Sequence, residues 1–185
     1  LTNALTQHLG RIDPETTNAL ATRLWTLASE TNDSEGLLSV ARCRHQNRAL
    51  HETISGARNP SIRAAWLANP DSPDDLVDQI LEKENRAQVI AGAISQAHGS
   101  SDTAARSTRL QAAAQRKLQA KPTIALAEAL VDVDGLDDAT SLLVTCTLLS
   151  ANRNLSGRRD SALNQRIASL AADHGNELVA AATNW

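Results

Sequence analysis

The chain has 185 residues, 18 of them basic and 21 acidic, for a formal net charge of −3. Apolar residues make up 42%, enough for a continuous core, yet Phe, Tyr and Met are absent and Trp occurs three times. The core must therefore be Leu, Ala, Val and Ile. Two isolated cysteines, Cys43 and Cys146, exclude a disulfide framework, and no run of ~18 apolar residues is present to span a membrane.

Ala and Leu are strong helix formers, and no period-2 alternation long enough for a strand occurs. The patterning predicts helices over 2–9, 14–30, 34–56, 60–68, 73–83, 86–97, 102–120, 122–132, 137–150, 158–173 and 176–183. The first of these lies in "LTNALTQHLGRIDPETT", which has neither the basic start nor the unbroken apolar stretch of a secretory signal. "RLWTLASETNDSEGLLSVA" then breaks after Leu27-Ala28, and "RAAWLANPDSPDDLVDQIL" after Leu67-Ala68. A third such break follows Ser150-Ala151. Weaker ones fall at 98–101 and 132–138. Each break is built from turn-forming Asn, Asp, Ser, Pro or Gly.

The stretch "NPSIRAAWLANPDSP" shows why such a chain must stack. A helix of about eight residues does not persist alone. Packed between neighbours, Ile62, Ala65, Trp66 and Leu67 can all be buried. The residue before proline is pushed out of the helical region, so Asn59 and Asn69 mark the boundaries. Asp71 or Ser72 is expected to cap the following helix, with Pro73 in its first turn. Trp25 and Trp66 are expected to be core plugs. Gly175 is expected to stop a helix, with His174 in the turn before it.

Residues 60–85 resemble one unit of a HEAT-like repeat, and more narrowly the leucine-rich repeat variant found in bacteria. The likeness rests on Ile62-Arg63, Ala68-Asn69-Pro70, Ser72-Pro73 and Leu76/Ile80/Leu81. It implies an all-α, short α-solenoid of stacked helical hairpins, used for binding, with residues 1–185 as one repeat domain. Some variant-repeat proteins hold an iron–sulfur centre on a cysteine cluster. Nothing here matches that cluster, so no cofactor is implied, and the motif supplies no catalytic residue.

Cys43, His45, His51 and Glu52 are close in sequence, but their spacing does not put ligands three or four apart on one helix face. Counted from Asp132, the loop 132–140 lacks the Gly and Glu that an EF-hand loop requires. There Asp137 or Asp138 reads better as a helix cap. No phosphate loop, nucleophile elbow or CxxC pair occurs.

The basic residues are the more informative signal. Arg106, Arg109, Arg116, Lys117 and Lys121 share one predicted helix. Arg153, Arg158, Arg159 and Arg166 form a second group, and Arg42, Arg44 and Arg48 a third. On one concave face they would track a phosphate backbone, but the chain is acidic overall and has no Phe or Tyr to stack bases.

The expectation is a non-enzymatic module that binds another protein or a neighbouring subunit. Its candidate surface is Arg106, Arg109, Arg116, Lys117, Arg158, Arg159 and the chain-ending Trp185. The alternatives are a structural subunit of a larger assembly such as a phage particle, and a nucleic-acid-binding repeat domain. No small-molecule substrate, metal or membrane partner is expected. The location expected is the cytoplasm of a bacterium, or a phage particle.

Overall fold

The computed structural model describes residues 13–44, 46–98, 101–151 and 157–183. Among the described residues there is no strand, and ten α-helices follow one another. They are α1 (Pro14–Glu30), α2 (Ser34–Ala41), α3 (Arg48–Ser55), α4 (Pro60–Ala68) and α5 (Asp74–Lys83). Then come α6 (Ala87–Ala97), α7 (Ala104–Ala120), α8 (Ile124–Leu130), α9 (Asp138–Ser150) and α10 (Arg158–Thr183). The helix expected over 2–9 lies outside the described residues.

Asx side chains start the helices where the chain reverses. Asp13, Asp33, Asn47, Asn59 and Asp137 each accept a hydrogen bond from a backbone N–H in the first turn that follows, satisfying donors the helix cannot use itself. Two sequence expectations need correction here. Neither Asp71 nor Ser72 caps α5, which begins after Pro73 with no side-chain cap. Ser72 instead donates its hydroxyl to the Trp66 carbonyl at 2.7 Å.

The helix expected over 34–56 is in fact two, α2 and α3. The side-chain amide of Asn69 donates to the carbonyls of Ala41 and Cys43, which a continuous helix would have used internally. Asn18 accepts from the Asn47 N–H at 2.9 Å and fixes the new start. At the C-terminal end, the helices expected over 158–173 and 176–183 lie in one run, α10, interrupted at His174, whose φ −128° and ψ 24° are not helical; the break falls one residue before the expected stop at Gly175.

Packing skips one helix at each step. α2 lies on α4, α4 on α6 and α6 on α8; likewise α3 lies on α5, α5 on α7 and α7 on α9. The outer helices α1 and α10 cover α2 and α9. α4 is buried at Ile62 and from Ala64 to Ala68, and its Trp66 is 0% exposed. Each large apolar side chain sealed in this way contributes about 1.5–3 kcal/mol. α4 and α6 approach closely because a Cβ at Gly92 would already sit 3.3 Å from the Ala64 methyl. Trp25 is half-buried against the same core.

The connections fall on two edges. Corners 42–47, 69–73, 98–103 and 131–137 join even helices to odd ones. Side chains tie the first three together: Asn69 to the first, Arg106 to the carbonyls of Pro70 and Ser72, and Arg44 to Asp102. At the fourth corner, Gly135 has φ +70°, and a Cβ there would fall 1.9 Å from the His98 ring. Only glycine lets the third corner rest on the fourth.

The opposite edge is held by Arg86 donating to the Arg58 carbonyl and by buried Glu84. Arg86 grips Glu84 at 2.8 and 2.9 Å and Arg63 at 3.0 Å. The Arg86 hydrogen bonds lead in drawing the Glu84 carboxyl down to about 2. The three breaks that look most alike in sequence are not equivalent in space. Those at 31–33 and after Ala151 join odd helices to even ones, while 69–73 does the reverse. Turn-forming composition does not encode which edge a turn occupies.

Candidate interaction surface

The even-to-odd edge is built around a dry polar centre. His51 is 1% exposed, and its Nδ1 accepts a hydrogen bond from Trp66 Nε1 at 3.0 Å. An indole N–H can only donate, so this bond requires neutral His51. Burial is the leading cause that lowers the His51 pKa, with Asp71 opposing it. Beside it Arg106 is 5% exposed. Its guanidinium donates to the carbonyls of Ser72 and Pro70 and pairs with Asp74 at 3.1 Å. Desolvation pushes the Arg106 pKa down from the usual arginine range.

This centre is committed to structure. The thiol of Cys43 is buried, and burial raises its pKa, so the reactive thiolate is disfavoured. Glu52 pairs with Arg48, and His51 Nδ1 is occupied by Trp66. His45 lies outside the described residues. In the loop 132–140, Asp137 is the helix cap, accepting from Thr140 N at 2.7 Å.

The residues expected to form one basic face are dispersed. Arg106 is buried and holds carbonyls. Arg109 pairs with Asp74 and Asp78, and Lys117 donates to the Glu82 carbonyl. Arg116 and Lys117 line a groove that also holds Asp78 and Glu82. Arg158 lines a separate groove with Asp132 and Asp134. Arg159 lies 3.9 Å from Glu128, and Trp185 is outside the described residues. Arg153 also lies outside them. Arg166 donates to the carbonyls of Val131 and Val133 and to Ser141 Oγ.

What remains open is a notch of about 390 Å³ lined by Arg42, Arg44, Ala65, Ala68, Asn69, Pro70 and Gln96. Arg42 is exposed and, among the described residues, donates to the neutral amide oxygen of Gln96 at 3.2 Å. Arg44 shares its guanidinium with Asp102, and both partners are half or more exposed. The floor is the end of α4, recessed between the first and third corners. Sequence grouped Arg42, Arg44 and Arg48, but Arg48 turns away to Asp75 and Glu52. Gln96 joins the notch from α6, 54 residues from Arg42, and no local signal marks it. Farther along the same edge, Asp134, Asp137 and Asp138 are exposed.

These features define an all-helical chain with a charged, structured edge. No protein-family model, no curated protein and no solved structure matches this chain. Among the described residues, no helix is long and apolar enough to cross a membrane.

Proposed function

We propose that the chain is a short α-solenoid of HEAT-like hairpins that binds another protein through its even-to-odd edge, with no enzymatic role. The supporting observation is the alternating packing together with the reach of its cross-links. Arg106 bonds carbonyls 34 and 36 residues back, Lys117 one 35 back and Arg166 one 35 back. Asn69 and Arg86 reach 26 to 28 residues back, so each link spans about one helical hairpin of varying length, as stacked hairpins would produce. Side-chain donors bound to turn carbonyls hold the edge rigid, which lowers the ordering cost of binding.

The assembly-subunit reading has one observation in its favour. Leu27, 49% exposed, and Val179, 63% exposed, are the large exposed apolar residues of the outer helices α1 and α10. The other exposed side chains of those helices are polar or small, which suits end caps better than stacking faces. The nucleic-acid reading is weakened because Arg44, Arg48, Arg106 and Arg109 already have carboxylate partners.

A photoreactive residue at Gln96 in the notch, compared with one at Lys121 on the opposite edge, tests this. A protein adduct from position 96, identified by mass and lost on adding Arg42→Glu, is the expected result. Equal adducts from both edges, or adducts with nucleic acid alone, would overturn it.

A further inference from the structure

Charge along the even-to-odd edge is graded. Its first corner presents Arg42 and Arg44. Its second and third present Asp71, His98 and Asp102, and its fourth presents Asp132, Asp134 and Asp137, with Asp138 opening α9. Among the described residues, two cations lie close to the fourth corner. Arg158 shares a groove with Asp132 and Asp134, and Arg166 feels the same two carboxylates. Its guanidinium is nonetheless taken up by two carbonyls and Ser141. Asp134 and Gly135 form a tight exposed turn, whereas the first corner borders a concave notch.

An edge that is basic and notched at one end, and acidic with an exposed turn at the other, is complementary in charge to itself when reversed. We propose that two copies of this chain pair edge to edge in antiparallel fashion about a two-fold axis. The exposed Asp134 and Asp138 carboxylates of each copy meet the Arg42/Arg44 notch of the other.

Physical reasoning supports a second copy over an unrelated acidic partner. A two-fold interface uses each surface patch twice, so one graded edge supplies both halves of both contacts. The apolar floor of the notch, Ala65, Ala68 and Pro70, is small and admits a short Asp side chain more readily than a bulky one. Planar guanidinium groups grip carboxylates with two parallel bonds. The ion pairs would be exposed, so the dimer is weak and salt-sensitive. This inference rests on the edge being an interaction surface.

The test is a charge swap followed by sedimentation at low salt. Arg42→Glu/Arg44→Glu and, separately, Asp134→Arg/Asp138→Arg are each expected to weaken the dimer by roughly ten- to hundredfold. All four residues are exposed, and unchanged helical circular dichroism shows that the variants fold. Mixing the two variants is expected to restore a mixed dimer of wild-type strength, because each then meets its opposite charge at both contacts. A monomeric wild type at high concentration, single variants that associate normally, or a mixture that fails to pair would overturn the proposal. A monomer that still forms a Gln96-position adduct with a different protein would end the self-pairing while leaving the interaction reading intact.

Discussion

Arg106 and Arg166 do the same job in different surroundings. Each stands on a helix and donates to two carbonyls of an earlier even-to-odd corner: Pro70 and Ser72 for Arg106, Val131 and Val133 for Arg166. The 69–73 corner lies under α7, next to His51 and Trp66, with Arg106 buried on it. The 131–137 corner is half open, beside a groove of about 540 Å³. One device is thus used once as a dry core element and once as a wet surface clamp. The lesson is that a buried arginine can serve backbone carbonyls as much as carboxylates. The carbonyls that end a short helix need donors wherever water cannot reach them.

The comparison can be broken by substitution. Arg106→Met keeps the apolar stem and strands the buried Ser72 carbonyl, with the half-buried Pro70 carbonyl beside it. Unmet buried polar groups cost about 1–3 kcal/mol each, so a loss of about 3 kcal/mol is expected in urea unfolding. Arg166→Met leaves its carbonyls near water, and about 1–2 kcal/mol is expected. Equal losses would show that burial does not separate the two corners.

A second prediction sharpens the difference through pH. His51 has a lowered pKa when folded, so the folded chain binds fewer protons there than the unfolded one. Its contribution is complete above the ordinary value of 6.5 and falls away as pH drops below it. The slope is limited to about 1.4 kcal/mol per pH unit. Stability measured from pH 7 to 5 should fall in the wild type and fall less in His51→Leu. An identical slope in both would remove His51 from the account.

The smallest effect is expected outside the sealed corner. Arg109 bridges Asp74 and Asp78, whose carboxylates are 60% and 53% exposed. Arg109→Ala should cost under about 1 kcal/mol and less in high salt. A loss as large as that of Arg106→Met would mean that the α5–α7 contact depends on surface charge.

Much of the helical layout was legible because its causes are local. Pro14 and Pro60 at helix starts, with Asp13, Asn59 and Asp137 as caps, fix boundaries through neighbouring backbone. The split between α2 and α3 was not legible, because the decisive donor, Asn69, is 26 residues from Cys43. The candidate surface was legible only in its residue types. Arginines spaced along α7 and α10 look alike in sequence, yet Arg106 is buried, Arg109 is paired and Arg158 faces a separate groove.

By itself, then, the sequence determined an all-helical chain with an aliphatic core and short, hard-stopped helices, since propensity, proline geometry and capping act within a few residues. Only the tertiary structure decided which turns share an edge, which arginines are consumed by distant carbonyls and where an open basic notch remains. Those outcomes depend on contacts between residues some 25 to 60 positions apart, a separation that no local pattern encodes.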